Sequence, residues 1–280
     1  MQIQDTLEEA INLIHRDEKD YYWAGQFVDT LVQVSIERSQ NQTLGQVHLA
    51  MQNINQDLWN VCTLVYRLEW LRNLAIKNQL GFTLWNMSAS LDIEHFHVEL
   101  RSILDYIANI LGIIAKKPGQ VRSNSFRELY QWLDANPGNI ARLGEEQSTL
   151  VLSAPWYSEL RSIRDSMLHQ GAFTLAGFGS PKDGVLFQVY KGPRQLINID
   201  SLMWNENVVD FQLYAGLYFA RVIVLLERLG GLLASRIPQQ LSIRGVKGVK
   251  SNYQGFGILR NWMSKLLDKL LEGNLIANKK

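Results

Sequence analysis

The sequence predicts a mainly α-helical bundle with a small β-hairpin insertion, and three observations predict it. Val47, Met51, Ile54, Leu58, Val61, Val65 and Leu68 alternate spacings of four and three, as do Phe96, Leu100, Ile103, Ile107, Ile110 and Ile114. That spacing keeps one apolar stripe of a long helix against its neighbours. Between about residues 172 and 200 the texture changes to short β-prone runs, and then a helical pattern returns. With 46% hydrophobic and 20% charged residues among 280, the chain can bury a sizeable core, which argues against global disorder.

The elements follow in order. Thr6-Leu7-Glu8-Glu9 reads as a capping box opening a first helix. Its pattern weakens near Gly25, and a second helical piece runs to about Arg38. The long seam over 47–68 comes next. A helix over 92–116 carries the second seam, with Asp92 and Glu94 near its start to suit the helix dipole. Lys116-Lys117-Pro118-Gly119 stops it. Ser123 to Ala135 reads as a short helix ended by Asn136-Pro137-Gly138. Trp156, Leu160, Ile163 and Met167 form one more stripe, on a helix over 153–170 ended by Gly171. Ala172–Ala176, Val185–Tyr190 and Leu196–Ile199 are β-prone, and Lys191-Gly192-Pro193-Arg194 joins the last two as a hairpin. Val208 to about Leu233 is helical, residues 237–256 read as a loop or linker, and Ile258–Leu271 is a final amphipathic helix for docking first of all on its own bundle, with a partner interface or a membrane surface as the alternatives. The expected organisation is an N-terminal helical extension (1–90), a helical bundle with the hairpin (91–236), and a basic linker with a C-terminal helix (237–280).

The net charge of +1 gives no whole-chain footprint for nucleic acid. The distribution is uneven, however. Residues 1–60 hold nine Asp/Glu against three Lys/Arg, and residues 228–267 hold seven Lys/Arg and no acid. That asymmetry points to an anionic contact near the C-terminus or to docking between the two ends. Cys62 is the single cysteine, so no intrachain disulfide forms; it lies on an apolar stripe and reads as a core residue. The start lacks a basic and apolar signal sequence, and no run of 18 residues is uniformly apolar. The expected location is cytoplasmic, with no membrane span.

The segment Arg161-Ser162-Ile163-Arg164-Asp165-Ser166-Met167-Leu168-His169-Gln170-Gly171 carries most of the chemistry. At about 100° per residue, Arg164 borders the buried stripe, and Arg161, Asp165 and His169 continue outward as one polar arc. Asp165 and His169 are four apart, so the carboxylate can orient the imidazole. The helix C-terminus and Asp165 both favour the imidazolium. An arginine supplies fixed charge and several donors for a phosphate, and a histidine supplies general acid–base chemistry. The bland alternative is an Arg161–Asp165 surface ion pair with His169 capping the helix.

Arg164-Asp165-Ser166-Met167-Leu168-His169 resembles the signature of the HEPN superfamily: arginine, a polar residue, three more, then histidine. The order of helices over roughly residues 90–235 also resembles that fold, with the motif on the helix after a short one. The resemblance implies a metal-independent endoribonuclease without a cofactor, in a defence, toxin–antitoxin or RNA-processing setting. It implies that Arg164 binds and polarises the phosphate, His169 acts as acid and base, and Asp165 sets the local geometry. It further implies a homodimer in which two copies of the motif face a shared cleft, and an antitoxin or defence partner. Arg161, Lys247 and Lys250 are the expected RNA contacts. The chain departs from some toxins of the superfamily, which carry a tyrosine where Gly171 stands. Many members serve instead as modules for protein interaction or for nucleotide or RNA binding, and that reading stays open beside the first.

Other candidates carry less. His95 and His97 point about 200° apart on a helix, so they cannot chelate one metal, and they read as a solvent-facing pair. Arg101 and Asp105, four apart, are placed to support Arg164. Gly177-Phe178-Gly179-Ser180 and Gly245-Val246-Lys247-Gly248 lack the strand–loop–helix context of a phosphate loop and read as turns.

Overall fold

The computed structural model describes residues 2–17, 20–23, 25–37, 41–169, 174–177, 180–189, 197, 199–205, 208–236 and 254–277. Among these the helices are α1 (Ile3–Leu13), α2 (Gln26–Glu37), α3 (Gln42–Ile76), α4 (Phe82–Ile113), α5 (Phe126–Ala135), α6 (Ile140–Leu143), α7 (Glu145–Leu152), α8 (Tyr157–His169), α9 (Phe211–Ala234) and α10 (Gln254–Ala277). The strands are β1 (Ile14–Asp17), β2 (Asp20–Trp23), β3 (Thr174–Ala176), β4 (Leu186–Val189), β5 (Met203–Asn205) and β6 (Val208–Asp210). The protein is mainly α-helical with a small β component.

α9 is the axis of the core. Every residue from Phe211 to Ala220 is buried, and a helix that is apolar all round has to be enclosed. α1, α2, α4, α7 and α10 pack around it. Two glycines allow the closest approaches. A Cβ at Gly230 would collide with the α2 backbone at Gln26–Phe27, and one at Gly255 would collide with the α3 backbone at Cys62. α3 and α4 form a long antiparallel hairpin. The predicted seam of α3 is buried at every position from Val47 to Leu68, and Cys62 is buried beside it.

The four-stranded antiparallel sheet runs in the order β3-β4-β6-β5. It lies against α4, where the Asn86 side chain donates to the Ala176 carbonyl and Ser90 Oγ accepts from the Ala176 amide at 3.3 Å. Gly177 leaves the strand at φ +72°, as its turn reading requires, with Trp85 packed where a side chain would stand.

Several expectations are corrected. Thr6 is not an N-cap: α1 begins at Ile3, and the Thr6 hydroxyl donates back to Gln2 O at 3.1 Å. β1 and β2 form a hairpin where one weakening helix was expected. Asp92 is not at a helix start, because α4 begins ten residues earlier; it is buried mid-helix against Arg67. Val208–Asp210 is a strand, and Asp210 then caps α9 by accepting from Gln212 N and Leu213 N. β4 pairs with β3 and β6. The predicted Lys191–Arg194 turn lies outside the described residues.

Charge asymmetry resolves partly into docking between the ends. Arg228 meets Glu9 at 3.5 Å, and Arg260 Nε donates to Ile11 O at 3.4 Å. α10 packs on α9, α3 and α1, so the last helix docks on its own chain. No helix among the described residues is long and apolar enough to cross a membrane.

Candidate functional site

α8 is held by its apolar stripe. Leu160, Ile163 and Met167 are buried, and Tyr157 packs edge-on against Phe126 at 5.3 Å. This fixes Arg161, Arg164 and Asp165 of the arc predicted from the helical wheel. Asp165 Oδ1 accepts from Arg164 Nη1 at 3.0 Å, and Asp165 Oδ2 lies 3.1 Å from Arg161 Nε. α4 adds Arg101, which reaches Asp165 at 3.9 Å and Asp105 at 3.6 Å. Asp105 in turn accepts from the Phe126 amide at 2.9 Å, which ties the start of α5 to the same cluster. Burial pushes the Asp105 carboxyl above its usual range, while the Phe126 amide, Arg101 and Arg164 pull it back.

The result is three guanidiniums around two carboxylates, with a surplus of one positive charge. The arginines are not equally open: the side chain of Arg164 is 18% exposed, and those of Arg161 and Arg101 are 29% and 31%. The depression between Arg101, Phe126, Tyr157 and Arg161 encloses about 10 Å³, at most one water. This is a charged surface rather than a pocket. Among the described residues it can meet a phosphate from outside and encloses no reacting group.

Arg161, Arg164 and Asp165 are therefore brought together as expected, and Arg101 and Asp105 support them. His169 ends α8, and its side chain lies outside the described residues. Lys247 and Lys250 also lie outside them. Among the described residues no group of His, Cys, Asp and Glu could hold a metal ion.

A second polar system was not anticipated. His97 is fully buried, so only His95 of the predicted solvent-facing pair is exposed. α4 is enclosed on that side by α9 and β4, and His97 sits against Phe187 and Tyr214. Its Nδ1 lies 2.7 Å from Ile93 O, so that nitrogen carries the hydrogen. Nε2 then accepts from the Tyr214 hydroxyl at 2.8 Å. Burial pushes the imidazole down to about 4, against the Ile93 bond. Tyr214 stacks on Tyr218 at 4.4 Å, and the Tyr218 hydroxyl donates to Glu159 at 2.5 Å. Arg221 lies 3.6 Å from Glu159 and covers the Tyr218 ring at 5.0 Å. A cavity of about 450 Å³ opens beside this chain, between α1, α8 and α9. Its two arginines, Arg221 and Arg228, already face Glu159 and Glu9, so it offers no surplus charge. The one sequence signal for this system was Tyr214 and Tyr218 four apart on a helix.

Comparison with protein-family models, characterised proteins and solved structures finds no match. The reading of the site rests on its residues and on the resemblance of its motif.

Proposed function

We propose that this protein is a HEPN-like module that binds RNA through the arginine face of α4 and α8 and does not cut it. The observation that carries this reading is the internal pairing of Arg164. A catalytic arginine has to offer its donors to the reacting phosphate, whereas here Asp165 takes one of them and also ties Arg161 and Arg101. The surplus charge, the partial exposure of Arg101 and Arg161, and the shallow depression beside them suit a passing phosphate backbone. Lys247 and Lys250 would extend the contact along the strand. No metal or cofactor enters this reading.

A second reading is endoribonuclease action through 2′-OH attack, with Arg164 on the phosphate, His169 as acid and base, and Asp165 positioning both. Arg164 and His169 on one helix, five residues apart, favour it. It needs a homodimer that supplies the second acid–base group, and a toxin–antitoxin or defence setting would follow from it. A cytoplasmic location suits either reading.

Two measurements decide. Fluorescence anisotropy with a labelled single-stranded RNA should show binding that weakens with salt and falls about tenfold in Arg161→Ala. Incubation of RNA with EDTA present should leave it intact for wild type and His169→Ala alike. RNA cleaved by wild type and spared by His169→Ala would establish the second reading. An absence of RNA binding would sink both and leave a protein-interaction module.

A further inference from the structure

The α3–α4 hairpin buries one face and leaves an apolar face on the other side. On α3, Trp59, Tyr66 and Trp70 stand within about 40° of one another, turned away from the buried seam. On α4, Leu84, Met87, Leu91 and Val98 do the same within about 60°. The Asn60–Glu99 bond at 3.2 Å and the Arg67–Asp92 pair set the register between the helices. They bring Trp59 level with Val98, Tyr66 with Leu91 and Trp70 with Met87, to within about one helical turn. Both columns lie on the same side of the hairpin, because the buried seams of both helices face the core together.

These seven side chains are 36–60% exposed. They leave roughly 800 Å² of surface in one patch, larger than a monomer ordinarily shows and about what one partner contributes to a stable complex. Between the columns stand the Arg67–Asp92 pair, which neutralises itself, and Glu99, which accepts from Asn60 at 3.2 Å.

We propose that this face binds a second copy of the chain, completing a four-helix bundle about a two-fold axis parallel to α3 and α4. The patch is complementary to itself under that operation. Its α3 column is aromatic and its α4 column aliphatic. A two-fold along the helices lays each aromatic column on the partner's aliphatic column, twice over, and makes every neighbouring pair of helices antiparallel. The other two-fold in the plane would stack tryptophan on tryptophan and leave the aliphatic columns on each other. α8 packs on the flank of α4 away from α3, with Arg101 half a turn of the wheel from Asp92. In this dimer the two α8 helices lie on opposite flanks, so their motifs do not meet. The pairing stands independently of the RNA reading, because it uses no residue of the arginine face.

Sedimentation velocity on the full chain should show a dimer at micromolar concentration. Leu91→Glu, at the centre of the patch and 55% exposed, should raise the dissociation constant at least about 100-fold while far-UV circular dichroism and Tm stay unchanged. Orientation is read by a short bis-maleimide on variants with one introduced cysteine, the native Cys62 being buried. A mixture of Tyr66→Cys and Leu91→Cys proteins should cross-link, and Tyr66→Cys alone should not. This second measurement keeps the test open should Leu91→Glu fold poorly. A monomeric wild type, a Leu91→Glu dimer of unchanged strength, or cross-linking of Tyr66→Cys with itself would each overturn the proposal. A monomer that floats with phosphatidylcholine–phosphatidylglycerol vesicles would assign the face to lipid instead.

Discussion

His97 should be a point of acid lability, and the structure gives the size of the effect. In the unfolded chain a histidine titrates near 6.5, while burial holds His97 at about 4 in the folded protein. A group whose folded value is depressed in this way takes up its proton in the unfolded state first. Its contribution is therefore fully present above about pH 6.5 and is lost as the pH falls from there toward 4. The gap of about 2.5 units is worth roughly 3 kcal/mol at 1.36 kcal/mol per unit. At about 2.1 cal/mol/K per residue of unfolding entropy, that is about 5 °C of Tm for a chain of this length. His97→Gln keeps a donor and an acceptor in the site but cannot charge. The assay is urea unfolding of both proteins at intervals from pH 7.5 to 4. His97→Gln is expected to be less stable at pH 7, because Gln meets Ile93 O and Tyr214 less well. The wild type should then lose about 3 kcal/mol more than the variant on acidification. Carboxylates elsewhere titrate in both proteins and cancel in the difference. Parallel stability–pH curves would refute the reasoning, since they would mean that His97 is solvated or already charged.

Three further outcomes are expected. Gly230→Ala should cost at least about 2 kcal/mol, because its methyl meets the α2 backbone rather than a movable side chain; thermal unfolding reads it. Burial and the neighbouring Glu99 push the Asp57 carboxyl up to about 6, against the Ser102 bond, so stability is lost as the pH rises from about 3.8 through about 6. Asp57→Asn should therefore gain stability relative to wild type at pH 8 more than at pH 5, as followed by chemical denaturation. Asp165→Asn should free the arginines and raise the surplus charge of the cluster. RNA affinity should then rise several-fold at low salt with a steeper salt dependence, whereas a positioning carboxylate in a cleavage site would lose function.

The α3 seam was legible in the sequence because a four–three repeat sustained over twenty residues has one solution: a long helix with a buried stripe. The α8 arc was legible for the same reason, since residues three and four apart must meet on a helix. Thr6-Leu7-Glu8-Glu9 misled because a capping box is a local pattern that also occurs inside a helix, where the threonine bonds the preceding turn. Val208–Asp210 misled because two valines just before a helix fit either period. β4 recruited them through pairing across about twenty residues of chain, which no local window registers. Nothing local to His97 in the sequence marks it as enclosed, and only the packing of α9 and β4 over α4 put it inside.

The same division holds for function. The sequence by itself determined that Arg161, Arg164 and Asp165 would share one side of one helix, because helical geometry is a local property. Only the tertiary structure decided that Arg101 and Asp105 would join them from α4 and that Asp165 would hold three arginines at once. It also decided that Trp59, Tyr66, Trp70, Leu84, Met87, Leu91 and Val98 would form one face. Whether a charge is free or neutralised, and whether an apolar residue is covered or bare, depends on what arrives from distant parts of the chain. Spacing along one helix cannot specify that.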